Sequence, residues 1–135
     1  MRYRILPVVV AVLFSGCSST PEELEKSEAA ARSTKAYTEN YQEIYRRISS
    51  SAKRCRATNS GRRTSFEVDA ELYNELGFGE VTLSLANWGT RNYYWKAKVE
   101  KRGSGSLVSA VSGNTMMNGV ELKHIFAWAD GNSDC

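Results

Sequence analysis

The sequence predicts an α+β domain in two layers, with a long N-terminal helix, a four-stranded antiparallel β-meander and a C-terminal helix. Three observations lead to this fold class. Apolar residues recur at helical spacing between Tyr37 and Ala52, four later segments alternate apolar with polar residues, and short connections that contain glycine join those segments. A sheet with one apolar face needs a cover, and two helices on that face provide it.

The first helix is predicted from one apolar face, formed by Tyr37, Tyr41, Ile44, Tyr45, Ile48 and Ala52. We expect this helix to run from a polar segment, residues 18–35, to about Arg54, where a basic loop begins. The cations of that loop suit the negative end of the helix dipole, and an anion-binding loop is the alternative. They are Lys53, Arg54, Arg56, Arg62 and Arg63.

The four predicted strands share a two-residue alternation of apolar and polar side chains. In the third of them, Trp95, Ala97 and Val99 follow Tyr93 on the predicted core face, and polar residues occupy the other face. The last strand is shorter and is expected at an edge. The connections have hairpin length, which predicts antiparallel neighbours. The segments are residues 65–73, 80–88, 92–102 and 106–113.

Residues 119–130 fit either a helix or a fifth strand, and we predict the helix. Glu121, Leu122 and Lys123 are good helix formers, Asn118 can cap the helix, and Asp130 precedes a glycine that can end it. The strand remains the alternative because apolar residues also alternate in this segment.

The stretch ILPVVVAVLFSGCSST, residues 5–20, follows a short basic start with Arg2 and Arg4. Its apolar run of ten residues would rise about 15 Å as a helix, half of what a bilayer core requires, which is typical of a signal peptide. Ser-Gly then precedes Cys17. This end resembles the lipobox of bacterial lipoproteins, and the alternative is a plain signal peptide with an incidental cysteine.

The resemblance implies that residues 1–16 are removed, that a diacylglyceryl group is attached to the Cys17 thiol, and that the new amino terminus carries an acyl chain such as palmitate. Two or three chains hold a protein firmly on a membrane. Ser18, rather than aspartate, follows the cysteine, which in this family implies the outer membrane, with the domain facing the periplasm; exposure at the cell surface is the alternative orientation. Residues 17–35 would be lipid anchor and tether, and residues 36–135 the domain.

Without residues 1–16 the chain has 16 basic and 15 acidic side chains, and this near-neutral balance argues against a nucleic-acid binder. If Cys17 carries lipid, Cys55 and Cys135 remain, and the exported compartment is oxidising. We therefore predict one disulfide between them. A metal or redox pair is a poor alternative because the two cysteines lie far apart in a chain with one histidine.

No catalytic constellation is evident in the sequence. The single histidine, His124, would have to serve any Ser-His or Cys-His chemistry, and the thiols are already assigned. The acidic residues Glu67, Asp69 and Glu71 occupy alternate positions, as on a solvated sheet face. No phosphate loop or dinucleotide motif is present, so we expect no enzyme activity, no cofactor and no metal.

The outer sheet face is the predicted binding surface, although plain solvation and cross-strand charge pairing also explain its composition. Tyr94 would anchor an anionic partner that Lys96 and Lys98 recognise, and Trp88, near a strand end, would extend the surface. Cell-wall polymer, lipopolysaccharide or an acidic envelope protein would fit. The function predicted is that of a non-enzymatic interaction or accessory module.

A carrier of a small apolar or anionic ligand is the alternative function. For an apolar ligand it would use a cleft between sheet and helices, although aromatic residues at such spacing more often fill a core. A persistent apolar cavity would favour the carrier, and a filled core with a continuous polar sheet face would favour the interaction module. The residues of that cleft are Tyr93, Trp95, Phe126 and Trp128.

Overall fold

The computed structural model describes residues 18–58, 63–114 and 116–135. The predicted signal peptide, the predicted lipidation site Cys17 and Arg62 of the basic loop lie outside these ranges. The described residues form three helices and five strands, and they confirm the α+β class: α1 (Pro21–Lys26), β1 (Ala31–Tyr37), α2 (Tyr41–Arg56), β2 (Thr64–Tyr73), β3 (Phe78–Asn87), β4 (Thr90–Arg102), β5 (Gly105–Ser112) and α3 (Asn118–Ala129).

The sheet is antiparallel throughout, with the strand order β1-β5-β4-β3-β2. The predicted meander is therefore confirmed for β2 to β5, each of which pairs with the next along the chain. Helices α2 and α3 cover one face of this sheet and enclose the main core, to which Trp95 and Trp128 contribute the largest buried side chains. We call this side the core face and the opposite side the outer face.

Strand β1 was not predicted; it gives the sheet five strands instead of four and takes the edge position that was predicted for β5. It pairs with β5 from Ala31 opposite Ser112 to Tyr37 opposite Ser106. Five of its seven side chains are exposed. Backbone hydrogen bonds hold an edge strand of this kind, and it buries little side-chain surface. Its sequence therefore shows no apolar alternation.

The prediction of one long N-terminal helix was wrong, because β1 separates α1 from α2. Helix α2 begins at Tyr41, and the side chain of Asn40 caps it by accepting a hydrogen bond from the Gln42 amide at 2.8 Å. Of the predicted apolar face, Tyr37 lies in β1. The other members lie on α2 and pack in or against the main core.

Helix α3 confirms the helical prediction for the last segment and excludes the strand alternative. Asn118 does not cap it; Asn118 is the first helical residue, and its side chain accepts a hydrogen bond from Ser112 Oγ at 3.3 Å. Beyond the other end, Asp130 accepts hydrogen bonds from Lys35 Nζ at 2.7 Å and Tyr37 Oη at 2.9 Å. The bond from Lys35 holds the pKa of Asp130 below its ordinary value, and both contacts tie the edge strand to α3.

The predicted disulfide between Cys55 and Cys135 is confirmed and joins the last turn of α2 to the final residue of the chain. The tail that leads to Cys135 is also held by backbone carbonyls. Ser133 accepts from the Arg54 guanidinium, and Asp134 accepts from Trp128 Nε1 at 3.0 Å. The C-terminal tail therefore belongs to the folded domain.

Candidate functional site

Helix α1 lies on the outer face of the sheet, where the sequence predicted only a solvated tether. The helix has a regular start, because the Thr20 side chain accepts from the Glu23 amide at 3.2 Å and Pro21 is the first helical residue. Leu24 is 0% exposed and packs in a small second core. The other members of this core are Ala30, Val111 and Tyr93.

A single leucine holds α1 because the sheet leaves room for it. Gly113 follows β5, and a Cβ atom at that position would lie only 2.7 Å from Leu24 Cδ1. On β1, the Arg32 guanidinium donates to backbone carbonyls of the connection between α1 and β1, at 2.8 Å for Ser27 and at 3.0 Å for Ala30. The contact between Leu24 and Gly113 joins residues far apart in the chain, so the tether prediction, made from local composition, missed it.

The residue that follows Cys17 is fixed to the sheet. The amide of Tyr93 on β4 donates to the carbonyl oxygen of Ser18 at 3.0 Å, and Ser18 is 4% exposed. Next to it, the amide and hydroxyl of Ser19 both donate to the Glu23 carboxylate, at 2.7 and 2.9 Å. The hydrogen bond from the Ser19 amide lowers the pKa of Glu23. A lipid on Cys17 would therefore be attached one residue from the folded sheet.

A β-bulge exchanges the faces predicted for Tyr93 and Tyr94. The register of β3 and β4 shifts so that Leu83 lies opposite Trp95 and Ser84 lies opposite Tyr93, which leaves Tyr94 as the extra residue. Tyr94 therefore packs against the main core, with its ring centroid 5.8 Å from that of Phe66. Tyr93 packs against the small core on the outer face. The placement of Tyr94 on the outer face was wrong, because regular alternation fails at a bulge.

Lys96 and Lys98 lie on the outer face as predicted, and both line a groove of about 200 Å³ beside α1. We call it the lysine groove. Strands β1, β4 and β5 supply its floor and far wall, and the polar residues Thr34 and Ser109 contribute hydroxyl groups to it. Its charged lining residues are Glu25, Arg32, Lys96 and Lys98.

The two lysines of this groove differ in what they can offer a ligand. Lys96 is 7% exposed, and its Nζ lies 2.8 Å from Glu25 and 3.0 Å from Glu80. Burial lowers the pKa of Lys96, but hydrogen bonds to those two carboxylates outweigh burial and raise the pKa overall. Lys98 is more exposed, and Glu100 approaches its Nζ at 3.3 Å. Lys98 is therefore the better anion-recognising group, and the charge of Lys96 is neutralised within the fold.

A second groove of about 230 Å³ is lined by residues of α1 and of the neighbouring outer face. We call it the acidic groove, since Asp69, Glu71 and Glu80 contribute its charge. Arg91 offsets part of this charge: it pairs with Asp69 at 2.8 Å and also with Glu67. The outer face thus combines cross-strand charge pairs with two open grooves whose lining includes charged side chains. The remaining lining residues of the acidic groove are Pro21, Thr82 and Tyr93.

Trp88 does not lie in either groove. It occupies the tip of the β3–β4 hairpin, where the Arg63 guanidinium lies 4.2 Å from its ring centroid. Arg54 and Arg56, predicted in the basic loop, lie in the last turn of α2 and are also engaged within the fold, Arg54 with Ser133 and Arg56 with Glu121 at 3.2 Å. The predicted site residues therefore separate into the lysine groove, the core and the hairpin tip.

Three of the aromatic residues proposed to line a ligand cleft, Trp95, Phe126 and Trp128, pack in or against the main core, and Tyr93 packs against the small core on the outer face. Trp95 and Trp128 are buried with ring centroids 6.4 Å apart, and Trp95 Nε1 donates to Glu121 at 3.0 Å. His124 lies with its ring centroid 5.9 Å from that of Trp128. Within the described ranges, no three His, Cys, Asp or Glu side chains are arranged to hold a metal ion.

Among the helices of residues 18–58, 63–114 and 116–135, none has the length and hydropathy needed to cross a bilayer. Comparison of the chain with models of protein families found no match. A search of curated proteins likewise found no significant similarity. Its function is therefore inferred from the residues of this chain and their arrangement.

Proposed function

We propose that this chain is a bacterial lipoprotein of the outer membrane, anchored through Cys17, whose domain faces the periplasm and acts as a non-enzymatic interaction module. The anchor rests on the leader, in which a basic start, a short apolar run and Ser-Gly precede Cys17. With that anchor in place, the position of Ser18 against β4 would hold the domain directly at the membrane.

The observation that carries the interaction role is the polar outer face with its two grooves. The lysine groove presents Lys98 beside the hydroxyl groups of Thr34 and Ser109, a combination that suits carboxylate or other anionic groups of an envelope protein or cell-wall component. Aromatic side chains meanwhile fill the space between sheet and helices. A filled core and a polar face favour an interaction module over a carrier of apolar ligands.

A photocrosslinking amino acid at Thr34 tests this proposal in cells that make the full-length protein. Thr34 is exposed and lines the lysine groove. We expect a covalent adduct with an envelope component, and we expect Lys98→Glu to reduce its yield strongly because the substitution replaces the cation with an anion. Cys17→Ser should also reduce it, since the module would leave the membrane.

Lys101→Glu is the matched control, because Lys101 is exposed on the same strand and does not line the groove. It makes the same charge change and should leave the adduct intact. Equal losses in both lysine variants would indicate a general charge effect and contradict the assigned groove. An adduct with a small anionic molecule alone would support the carrier alternative.

A further inference from the structure

The β3–β4 hairpin places a tryptophan where turn geometry favours a small residue. Trp88 and Gly89 form its two-residue loop, and both have positive φ angles, +50° and +81°. Such primed turns usually carry Asn, Asp or Gly at the first position, since a bulky side chain is disfavoured in the left-handed region. A residue kept there against its backbone preference points to a role for its side chain.

The indole of Trp88 projects into solvent. It is 68% exposed, whereas the other two tryptophans of the chain, Trp95 and Trp128, are buried. Its neighbour is a cation: the Arg63 guanidinium lies 4.2 Å from the ring centroid, and the Trp88 amide donates to the Arg63 carbonyl at 3.2 Å. The hairpin tip therefore presents one amphipathic ring and one arginine side by side.

This tip is close to the proposed lipid anchor. The Tyr93 amide of β4 donates to the Ser18 carbonyl, and Trp88 lies five positions before Tyr93, a span of about 18 Å at most. The end of the sheet that carries Ser18 and Trp88 also carries the residues between β5 and the first turn of α3. Exposed apolar side chains occur there as well: Met116, Met117 and Val120.

We propose that Trp88 and Arg63 form a second membrane contact, in which the indole enters the interface between headgroups and acyl chains and the guanidinium pairs with lipid phosphate. Tryptophan favours this interface because it combines an apolar ring with a polar N–H, and arginine can keep its charge among the headgroups. The inference rests on the proposed lipidation of Cys17. Together the two contacts restrain the domain at two points, one beside β4 and one at the tip of the β3–β4 hairpin.

A phospholipid bilayer is the occupant that this geometry favours, because a lipid on Cys17 would bring this end of the domain to the membrane surface. A protein partner at the tip would need no such proximity. The two occupants are separated by using vesicles that contain no other protein.

The experiment uses the mature protein purified from the membrane, with its mass measured, and reconstituted into phosphatidylethanolamine–phosphatidylglycerol vesicles. Brominated phospholipid is then introduced as a quencher of tryptophan fluorescence. We expect loss of most of the Trp88 emission, measured as the difference between wild type and Trp88→Phe. The emission that remains in Trp88→Phe should be little quenched, because Trp95 and Trp128 are buried.

The outcomes separate this inference from the proposed function. If the measured mass shows a protein that carries no lipid, both the proposed lipid anchor and the membrane contact are overturned. A lipidated, vesicle-bound protein whose Trp88 emission is quenched by aqueous iodide and not by brominated lipid would overturn the membrane contact and leave the lipid anchor standing. If brominated lipid quenches the Trp88 emission equally in Arg63→Ala and in wild type, Arg63 does not take part in the contact.

Discussion

Replacing Cys55 and Cys135 together by alanine is expected to lower the free energy of unfolding by about 4 kcal/mol. The bond joins residues 80 positions apart in sequence, so its loss restores much of the conformational freedom of the unfolded chain. It also releases the tail whose carbonyls bind Arg54 and Trp128. Urea denaturation of the purified double variant and wild type, under identical conditions, measures the difference.

Wild-type protein treated with a reductant is the control for this prediction, because it breaks the same bond and keeps both sulfur atoms. Its midpoint should fall towards that of the double variant. A loss of less than about 1 kcal/mol would mean that the unfolded chain gains little freedom without the bond, contrary to the chain-entropy model.

Leu24→Ala is expected to cost about 2–5 kcal/mol at the contact between α1 and the sheet. Leu24 is fully buried and is the largest aliphatic side chain of the small core on the outer face. A helix of six residues has little stability of its own, so the loss should appear as local opening of α1. Hydrogen exchange at the Tyr93 amide reports it, since that amide donates to Ser18. We expect exchange at least about 30-fold faster.

Leu76→Ala is the matched control, because Leu76 is 71% exposed in the β2–β3 connection. It should change stability by less than about 0.5 kcal/mol and leave the Tyr93 amide unaffected. Unchanged exchange at Tyr93 in Leu24→Ala would show that Leu24 does not hold the N-terminal segment on the sheet.

The elements that the sequence predicts well are those with one buried face. The residues Ile44, Ile48 and Ala52 repeat at helical spacing because α2 buries one face. Similarly, Trp95, Ala97 and Val99 alternate with polar residues because β4 buries one face. The strand β1 buries almost no side chain, so periodicity could not reveal it. Leu24 alone gave no period either, although its burial decides where the N-terminal segment lies.

The site was predicted less completely, and the reasons are local. Lys96 and Lys98 lie in the regular part of β4, after the bulge, and the sequence placed them on the correct face. Tyr94 lies at the bulge, where one extra residue reverses the alternation without any signal in the amino-acid types. Neutralisation of Lys96 depends on Glu25 and Glu80, which come from elements distant in sequence.

The lipid anchor at Cys17 is the central claim, and the mass of the mature protein tests it most directly. Intact mass spectrometry of protein extracted from isolated outer membranes should find a chain that begins at Cys17 and carries a diacylglyceryl group with an additional acyl chain. The Cys17→Ser protein should lack this mass and leave the outer-membrane fraction. An unmodified chain that begins at another residue, or unchanged fractionation of the Cys17→Ser protein, would contradict the account.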